Sequence, residues 1–247
     1  NIFFGNLGPL GRLEPVEVNS GDRFGVSAVT DLTWKDLLDT DTCVACGRCQ
    51  ESCPAYATAK PLSPLKVMRS IRGAAGKPSG TTHGAAGEHD DLHASVSPAE
   101  TWACTTCYAC EAECPVSIEH VRKMMGLRRS LVMDRAEVPQ EAIRLLSNLE
   151  VFGDPIGKGR ALRRQWAQNL PARYFGKDYE PDVLYWVGCQ AAFHPRAQEI
   201  ARALMTVADR AGIQLTVLGE EETCCGDPAR RIGEEALFQE LARGNIE

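Results

Sequence analysis

The chain has 247 residues, a formal net charge of −6, and 24% charged and 44% apolar residues. This composition is ordinary for a soluble globular protein with room for one large or two small domains. The acidic balance argues against general nucleic-acid binding, which usually needs a basic domain. No apolar run approaches the ~18 residues expected of a membrane-spanning helix.

The first 30 residues are predicted to form an irregular linker or arm, because glycines and prolines interrupt them and they show little periodicity. The stretch "DLTWKDLLD" (31–39) then predicts a helix that is capped by Thr30 or Asp31. Its apolar residues share one helical face, which is the pattern of a helix packed on a core. These residues are Trp34, Leu37 and Leu38.

Two further helices have clear start signals. The stretch "SPLKVMRSIRG" (63–73) has Ser63 as its cap, proline at the first helical position, and Gly73 at its end. The stretch "SPAETWAC" begins with Ser97 as the cap and forms a capping box with Glu100. Residues 73–91 lie between them, contain many glycines and almost no bulky apolar side chain, and are predicted to form a flexible surface loop.

An amphipathic helix is predicted from Ile118 to about Arg135, and another from Pro139 to about Leu149. In the first of these, four apolar residues are expected to face inward and four basic residues mostly outward. The inward set is Val121, Met125, Leu131 and Val132, and the outward set is Arg122, Lys123, Arg128 and Arg129.

The C-terminal part has the pattern of a strand–helix–strand unit with a parallel sheet. "VLYWVG" (183–188) predicts a buried parallel strand, residues 195–211 a helix, and "IQLTVL" (213–218) a second strand. Cysteines follow each strand, where open α/β sheets place their ligands. They are Cys189 after the first strand and the adjacent pair Cys224–Cys225 after the second.

The eleven cysteines fall into three tight groups, at 43–53, at 104–114, and at 189 with 224–225. Clustering of this kind favours metal or redox chemistry in a reducing compartment over a disulfide framework. The first two groups read "CVACGRCQESCP" and "CTTCYACEAECP", so that both have the form C-x2-C-x2-C-x3-C-P. The second group repeats the first at an offset of 61 residues, from Cys43 to Cys104.

Runs of this form hold [4Fe–4S] clusters in two-cluster ferredoxins, where the fourth cysteine ligates the other cluster. The sequence therefore predicts two clusters with exchanged ligands, and electron transfer as their use. Two structural zinc sites are the alternative, although the interleaved cysteine and the trailing proline fit zinc poorly. The first cluster is assigned to Cys43, Cys46, Cys49 and Cys114, and the second to Cys104, Cys107, Cys110 and Cys53.

The long segment between Cys53 and Cys104 contains helix signals, so a helical ferredoxin is expected rather than the compact β-hairpin form. The predicted fold is α+β: a mainly α-helical two-cluster ferredoxin domain followed by an α/β (βαβ) cysteine-rich half-domain. The predicted organisation is a linker at 1–30, the ferredoxin at 31–151, a connector at 152–181 and the cysteine-rich part at 182–247.

Three segments of this sequence resemble a known family. They are "LTWKDLLDTDTCVACGRCQESCPAYATAKPLSP", "WACTTCYACEAECPVSIEHV" and "VLYWVGCQAAF" with "EETCCGDPARR". A helical two-cluster ferredoxin followed by a Cys-Cys-Gly segment resembles the D-type subunit of heterodisulfide reductase and the iron–sulphur subunit of anaerobic glycerol-3-phosphate dehydrogenase. It is most similar to membrane-bound iron–sulphur oxidoreductases that pass electrons from electron-transfer flavoprotein to menaquinone.

The resemblance implies an electron-transfer flavoprotein as redox partner, a preceding haem-b membrane domain that reduces quinone, and a location on the cytoplasmic side of the inner membrane. It also implies that Cys189, Cys224 and Cys225 are ligands of a third, non-cubane cluster. The chain departs from the family pattern at both ends, so we expect it to be a soluble piece of a larger protein. Catalytic disulfide reduction at the Cys-Cys-Gly segment, as in heterodisulfide reductase, is the alternative function.

Histidines and arginines are the remaining candidate functional residues. The five histidines, at 83, 89, 93, 120 and 194, are candidate ligands or proton carriers. The first three lie in or beside the glycine-rich loop and are expected to be solvated, whereas His194 lies near Cys189 in the sequence. Six arginines could dock an acidic carrier by electrostatic steering, or form ordinary solvated helix faces. They are Arg122, Arg128, Arg129, Arg160, Arg163 and Arg164.

Overall fold

The structure is a computed structural model, and it describes residues 13, 16–18, 23–76, 91–170, 172–176 and 182–246. The mixed fold is confirmed: helices dominate, and one small parallel sheet joins them. The chain divides into two compact units, the first comprising residues 1–137 and 231–234 and the second 138–230 and 235–247. Among the described residues, no helix combines the length and apolar character that crossing a bilayer requires. Residues 77–90 of the predicted loop, with His83 and His89, lie outside the described residues.

The first unit is built from short helices that follow one another closely. Its central helix α4 packs against α1, α2 and α5. The helices are α1 (Trp34–Thr42), α2 (Arg48–Glu51), α3 (Pro54–Ala57), α4 (Pro64–Ala75), α5 (Leu92–Ser95), α6 (Pro98–Ala103), α7 (Ala109–Ala112) and α8 (His120–Arg129).

The sequence repeat is also a structural repeat. Helix α7 lies at the same offset of 61 residues from α2 as Cys104 lies from Cys43. Left-handed backbone conformations recur at the same offset, at Ala45 and Gly47 before α2 and at Thr106 and Tyr108 before α7. Each motif therefore turns the chain in the same way between its first and third cysteines, and α2 packs against α7.

The two predicted caps are confirmed. The Ser63 hydroxyl accepts a hydrogen bond from the Lys66 N–H, and Ser97 forms the reciprocal capping box with Glu100. The predicted end of α4 at Gly73 is wrong, because the helix continues to Ala75. Gly73 has nothing within 4 Å of the position of a Cβ atom, and neither packing nor a left-handed conformation interrupts the helix there.

The predicted cap of α1 is wrong, and of the three apolar residues on its predicted face only Leu37 packs against the core. Its N-cap is Thr33, which forms a capping box with Asp36. Trp34 is 77% exposed and Leu38 48% exposed, whereas Asp36 and Asp39 are buried. The acidic face turns inward because a buried lysine, Lys123, binds both carboxylates, at 3.2 Å from Asp36 and 2.7 Å from Asp39.

Helix α8 carries Lys123, the buried partner of the acidic face of α1. The four apolar residues predicted to face inward are buried, and a π-helical turn at Ser130–Asp134 continues the helix. The outward placement of Lys123 and Arg128 is wrong, since only 2% and 5% of their surfaces are exposed. Both side chains are buried because other groups in the unit accept their hydrogen bonds, which replaces the lost water. Carboxylates bind Lys123, and backbone carbonyls of Thr101 and Cys104 bind Arg128.

The second unit places one small sheet among helices. Strands β1 (Arg173–Tyr174), β2 (Val183–Leu184) and β3 (Leu215–Val217) run parallel in the order β1-β3-β2. The predicted strand–helix–strand unit is present as β2, two helices and β3. The unit's helices are α9 (Gln140–Phe152), α10 (Gly188–Phe193), α11 (Pro195–Arg210) and α13 (Glu235–Ile246), together with α12 (Asp227–Ile232) as far as Arg230.

The prediction of a buried first strand is wrong. Val183 and Leu184 are 41% and 46% exposed, because β2 is an edge strand of the sheet that is described. The central strand is β3, whose Thr216 and Val217 are buried. The first strand is also shorter than the apolar run "VLYWVG" suggests, since the chain enters α10 at Gly188.

Segment 152–181 is more than a connector in the structure. It holds a 3-10 helix at Arg160–Ala167 and the strand β1, and the second unit already begins at residue 138. Trp166 of the 3-10 helix is 2% exposed and packs with Phe193, Met205 and other apolar residues of the unit's core. The arginine-rich composition of this segment did not indicate that it forms an amphipathic 3-10 helix.

Candidate metal centres

Four cysteine thiols line one cavity in the first unit. Cys43, Cys46 and Cys49 come from the first motif, and Cys114 comes from the second. Cys49 is buried, whereas Cys46 is exposed at the surface. The cavity therefore collects the predicted set of four, including the cysteine that the second motif contributes.

A second cavity has the mirrored composition. Cys104, Cys107 and Cys110 of the second motif line it together with Cys53 of the first motif. Cys53 and Cys110 are buried, and Cys107 is exposed. The structure thus brings together the eight sequence-predicted cysteines in two sets of four with one cysteine exchanged between the motifs.

The thiols of each set act on one another electrostatically. Burial raises the pKa of Cys49 to about 11, and the neighbouring Cys114, Cys43 and Cys46 add to this effect. Burial also raises the pKa of Cys110, with a further contribution from Glu111 beside it. Because the thiolate is the form that ligates metal, a positive group inside each cavity would be needed to hold four thiolates there.

The residues around the two cavities fit an iron–sulphur cluster. Thiolates are the ligands that such clusters use, and each cavity offers four. Backbone amides point at sulphur in both sets: the Thr106 N–H donates to Cys104 Sγ at 3.4 Å, and the Ile118 N–H donates to Cys114 Sγ at 3.3 Å. Hydrogen bonds of this kind orient the ligands and adjust the reduction potential of the bound cluster.

The sequence did not reveal the burial of two side chains, one that lines these cavities and one that binds the backbone of a cavity cysteine. His120, at the start of α8, lines both of them and is 3% exposed. Arg128 donates hydrogen bonds to the backbone carbonyls of Thr101, Trp102 and Cys104, and its guanidinium lies 5.3 Å from the centre of the Trp102 ring. The positive charge of Arg128 counters the effect of burial, which raises the pKa of Cys104.

Two other histidines lie in the part of the chain that the structure describes, and the prediction for one of them is wrong. His93 was expected to be solvated, but it is 8% exposed and its Nε2 lies 3.2 Å from Ser130 Oγ. His194, the histidine nearest to Cys189 in sequence, is exposed and forms the N-cap of α11. A buried histidine could not be recognised beforehand, because His93 and His120 stand in sequence contexts no more apolar than those of the exposed one.

Cys189, Cys224 and Cys225 meet in the second unit. Cys189 lies in the first turn of α10, and the adjacent pair precedes α12. Hydrogen bonds with the buried Cys224 thiol lower the pKa of Cys189 and lower that of Cys225 to about 6, while they raise the pKa of Cys224 itself. The Cys224 N–H donates to the Gly153 carbonyl at 2.8 Å, which fixes the pair on the loop.

A buried ion pair contacts Cys189 and the backbone just before it. Arg163 Nη1 lies 2.8 Å from Glu222 Oε1, and both side chains are 2% exposed. Glu222 also accepts hydrogen bonds from the N–H groups of Val187 and Gly188, immediately before Cys189. Arg163 Nη2 donates to Cys189 Sγ at 3.1 Å, so that its charge favours the thiolate. The proposed role of the six arginines as an exposed docking face therefore fails for Arg163 and for Arg128.

Known protein families match both cysteine-containing parts of the chain. The family described as "4Fe-4S dicluster domain" matches residues 35–115, and the family described as "Cysteine-rich domain" matches residues 183–247. The chain is 36% identical to the EtfAB:quinone oxidoreductase of Syntrophomonas wolfei subsp. wolfei. The alignment has 277 positions, gaps included, and covers 100% of this chain and 38% of the relative.

Two other relatives share this similarity. A protein of Chromohalobacter salexigens named "Probable membrane-anchored ferredoxin" is 36% identical over 95% of this chain and 38% of its own. The D-type subunit of the dihydromethanophenazine:CoB–CoM heterodisulfide reductase of Methanosarcina barkeri is 30% identical over 88% of this chain and 54% of its own. The chain thus contains a 4Fe-4S dicluster domain followed by a cysteine-rich domain, and it is similar to these iron–sulphur proteins over most of its own length. It spans about half or less of the length of these relatives.

Proposed function

We propose that this chain transfers single electrons by means of two [4Fe–4S] clusters with exchanged ligands. Cys43, Cys46, Cys49 and Cys114 hold one cluster, and Cys104, Cys107, Cys110 and Cys53 hold the other. The gathering of each set around its own cavity is the observation that carries this proposal. When bound, such clusters supply one-electron oxidation and reduction.

The protein's own residues do three things at these sites. The four cysteines of each set would occupy all the ligand positions of a cubane, so that no iron would be open to a substrate. Apolar side chains such as Val67, Met68 and Met124 line the second cavity and exclude water from it. Exposed Cys46 and Cys107 place one edge of each set at the surface, where a redox partner can approach.

The proposed setting is a membrane oxidoreductase that links electron-transfer flavoprotein to menaquinone on the cytoplasmic side of the inner membrane. The relatives whose names mention EtfAB with quinone, and a membrane-anchored ferredoxin, support this setting. In it, a haem-b membrane domain would belong to the whole protein, and the first unit would provide the electron path.

Disulfide reduction of the heterodisulfide reductase kind is the second candidate function. It is favoured by the convergence of Cys189, Cys224 and Cys225 beside Arg163, and by the similarity to the D-type subunit of that enzyme. The three thiols would then be ligands of a third iron–sulphur cluster.

The ligand exchange can be tested by cysteine removal. In Cys53→Ala we expect loss of the cluster that Cys104, Cys107 and Cys110 hold, and in Cys114→Ala loss of the other one, because alanine cannot ligate iron. Anaerobic EPR spectra of the reduced protein, with iron and sulphide analysis, measure this outcome. Variants Cys46→Ala and Cys107→Ala assign the two signals, since each removes a ligand that is not exchanged.

If Cys53→Ala removed the same signal as Cys46→Ala, the ligand exchange would be wrong. Fewer than about six irons per chain in the anaerobically purified wild-type protein would contradict the two-cluster proposal itself. Zinc in place of iron would support the structural alternative.

A further inference from the structure

His120 is the one residue, among those described, that lines both cysteine cavities. It is 3% exposed, and neither Nδ1 nor Nε2 of its ring has a hydrogen-bond partner. Buried polar side-chain atoms nearly always have partners, and leaving one unpaired is unfavourable. The position of the ring between the two cavities therefore needs an explanation.

The backbone around His120 is fixed by its neighbours. The N–H of Val121 donates to the buried Glu111 carboxylate at 2.7 Å. One turn along α8, Lys123 is bound by Asp39 at 2.7 Å and donates to the Glu119 carbonyl at 3.1 Å. These contacts hold the first turn of α8 in place, so the imidazole cannot reach solvent by a small movement.

Burial favours the neutral form of the ring. Burial lowers the pKa of His120 to about 4, and the charge of Lys123 acts in the same direction. A neutral imidazole has one N–H donor and one acceptor nitrogen. The described side chains that share the second cavity with it are mostly apolar and cysteine residues, among them Val121 and Met124. Sulphur is therefore the acceptor that the surroundings of the ring offer.

We propose that His120 donates its single N–H to a sulphur atom of one of the two clusters and thereby raises the reduction potential of that cluster relative to the other. This inference rests on the two-cluster proposal above. A hydrogen bond to sulphur stabilises the more negative, reduced cluster, so it raises the potential. Because one donor faces two cavities, only one cluster receives the hydrogen bond and has its reduction potential raised. The two clusters, which are held by similar motifs, would then differ in potential. The difference in potential would favour electron transfer toward the cluster that accepts the hydrogen bond from His120.

The test uses His120→Leu in the full chain, which removes the donor and keeps an apolar side chain of similar bulk. We expect the reduction equilibrium of one cluster to become about tenfold less favourable, which equals about 59 mV for a one-electron couple. The other cluster should change much less. Redox titration followed by anaerobic EPR measures both potentials, with iron and sulphide analysis of the same samples.

Two variants provide matched controls. His93→Leu removes another buried histidine of the same unit, which does not line either cavity and lies against Ser130. We expect it to leave both potentials unchanged. His120→Gln retains an N–H donor on a flexible side chain and should restore part of the shift.

Unchanged potentials in His120→Leu, with iron retained, would overturn the inference, and so would an equal shift of both clusters. Fewer than about six irons per chain in the wild-type protein would instead overturn the two-cluster proposal. Should His120→Leu lose iron, pulsed EPR on wild-type protein labelled with ¹⁵N-histidine gives an independent decision. A nitrogen coupling at one reduced cluster supports the hydrogen bond, and its absence at both contradicts it.

Discussion

Lys123 lies in the interior of the first unit with 2% of its surface exposed. Its ammonium group reaches Asp36 and Asp39 of α1 and so ties α8 to α1. Burial alone would raise the pKa of Asp36, but hydrogen bonds from Thr33 and the charge of Lys123 outweigh it and lower that pKa. The stability that Asp36 contributes is therefore present at neutral pH and is lost as the pH falls through its lowered pKa.

Replacing Lys123 by methionine should destabilise the protein strongly. The variant removes the one fully buried cation that binds both carboxylates, and breaking a buried pair costs about 3–5 kcal/mol. The cations that remain, Lys35 at Asp39 and Arg122 at Asp36, are more exposed. Denaturant unfolding of the anaerobic, cluster-loaded protein measures the change in the free energy of unfolding. Lys35→Met is the matched control: Lys35 binds the same Asp39 at 2.8 Å but is 37% exposed, so we expect a loss below about 1 kcal/mol. Equal losses in the two variants would contradict this account.

At the scale of elements, the described part of the N-terminal arm packs on α8. The Val26 N–H donates to the Gly126 carbonyl at 2.8 Å, and Ala28 pairs with Asp91 in an isolated antiparallel bridge. Gly126 permits the approach, because a Cβ atom there would lie 2.7 Å from Val26 Cγ2 and 3.2 Å from Val26 Cβ. A glycine inside a helix is normally unfavourable, and here it allows the arm to cover the helix that carries His120.

The two helical glycines Gly126 and Gly73 form a matched pair for mutation. Gly126→Ala should destabilise the protein by about 1–3 kcal/mol, because the methyl group is forced against Val26. Gly73→Ala should stabilise it by up to about 1 kcal/mol, because alanine favours the helix and no atom lies within 4 Å of the added Cβ. Thermal and denaturant unfolding measure both changes. Stabilisation by Gly126→Ala would show that the arm does not pack on α8 as described.

At the scale of the whole molecule, the cysteine chemistry is divided between two units. The eight cysteines of the ferredoxin motifs lie in the first unit, and Cys189, Cys224 and Cys225 lie in the second. Each unit has its own apolar core, centred on residues such as Met68 and Ile71 in the first and Trp166 in the second. The two proposed functions differ in whether the second group of thiols is needed.

The variant Cys225→Ala separates these functions. If the chain serves as the electron path from a flavoprotein, reduction of the two clusters by reduced electron-transfer flavoprotein should stay within about twofold of the wild-type rate. Stopped-flow absorbance of the clusters measures this rate, and Cys107→Ala is the control that should abolish part of the signal. A slowing of tenfold or more in Cys225→Ala would favour the disulfide-reductase alternative.

Much of the candidate site could be predicted from spacing. The repeated C-x2-C-x2-C-x3-C-P run predicted which cysteines share a cavity, because a short turn and a following proline restrict where four thiols can point. The caps at Ser63 and Ser97 were predicted equally well, since capping depends on neighbours three residues away. The edge position of β2 was not predictable, because an apolar run does not reveal which strands flank it.

The sequence by itself determined the chemistry of this protein: eight cysteines in two copies of one motif, three more after two strands, and the helix starts between them. These features are local, and their physical causes act over a few residues. Only the tertiary structure decided which charged and polar side chains are buried, as Lys123, Arg128, Arg163 and His120 are. Burial of a polar group depends on partners that lie far away in sequence, as Asp39 lies from Lys123, and no periodicity within one helix encodes them.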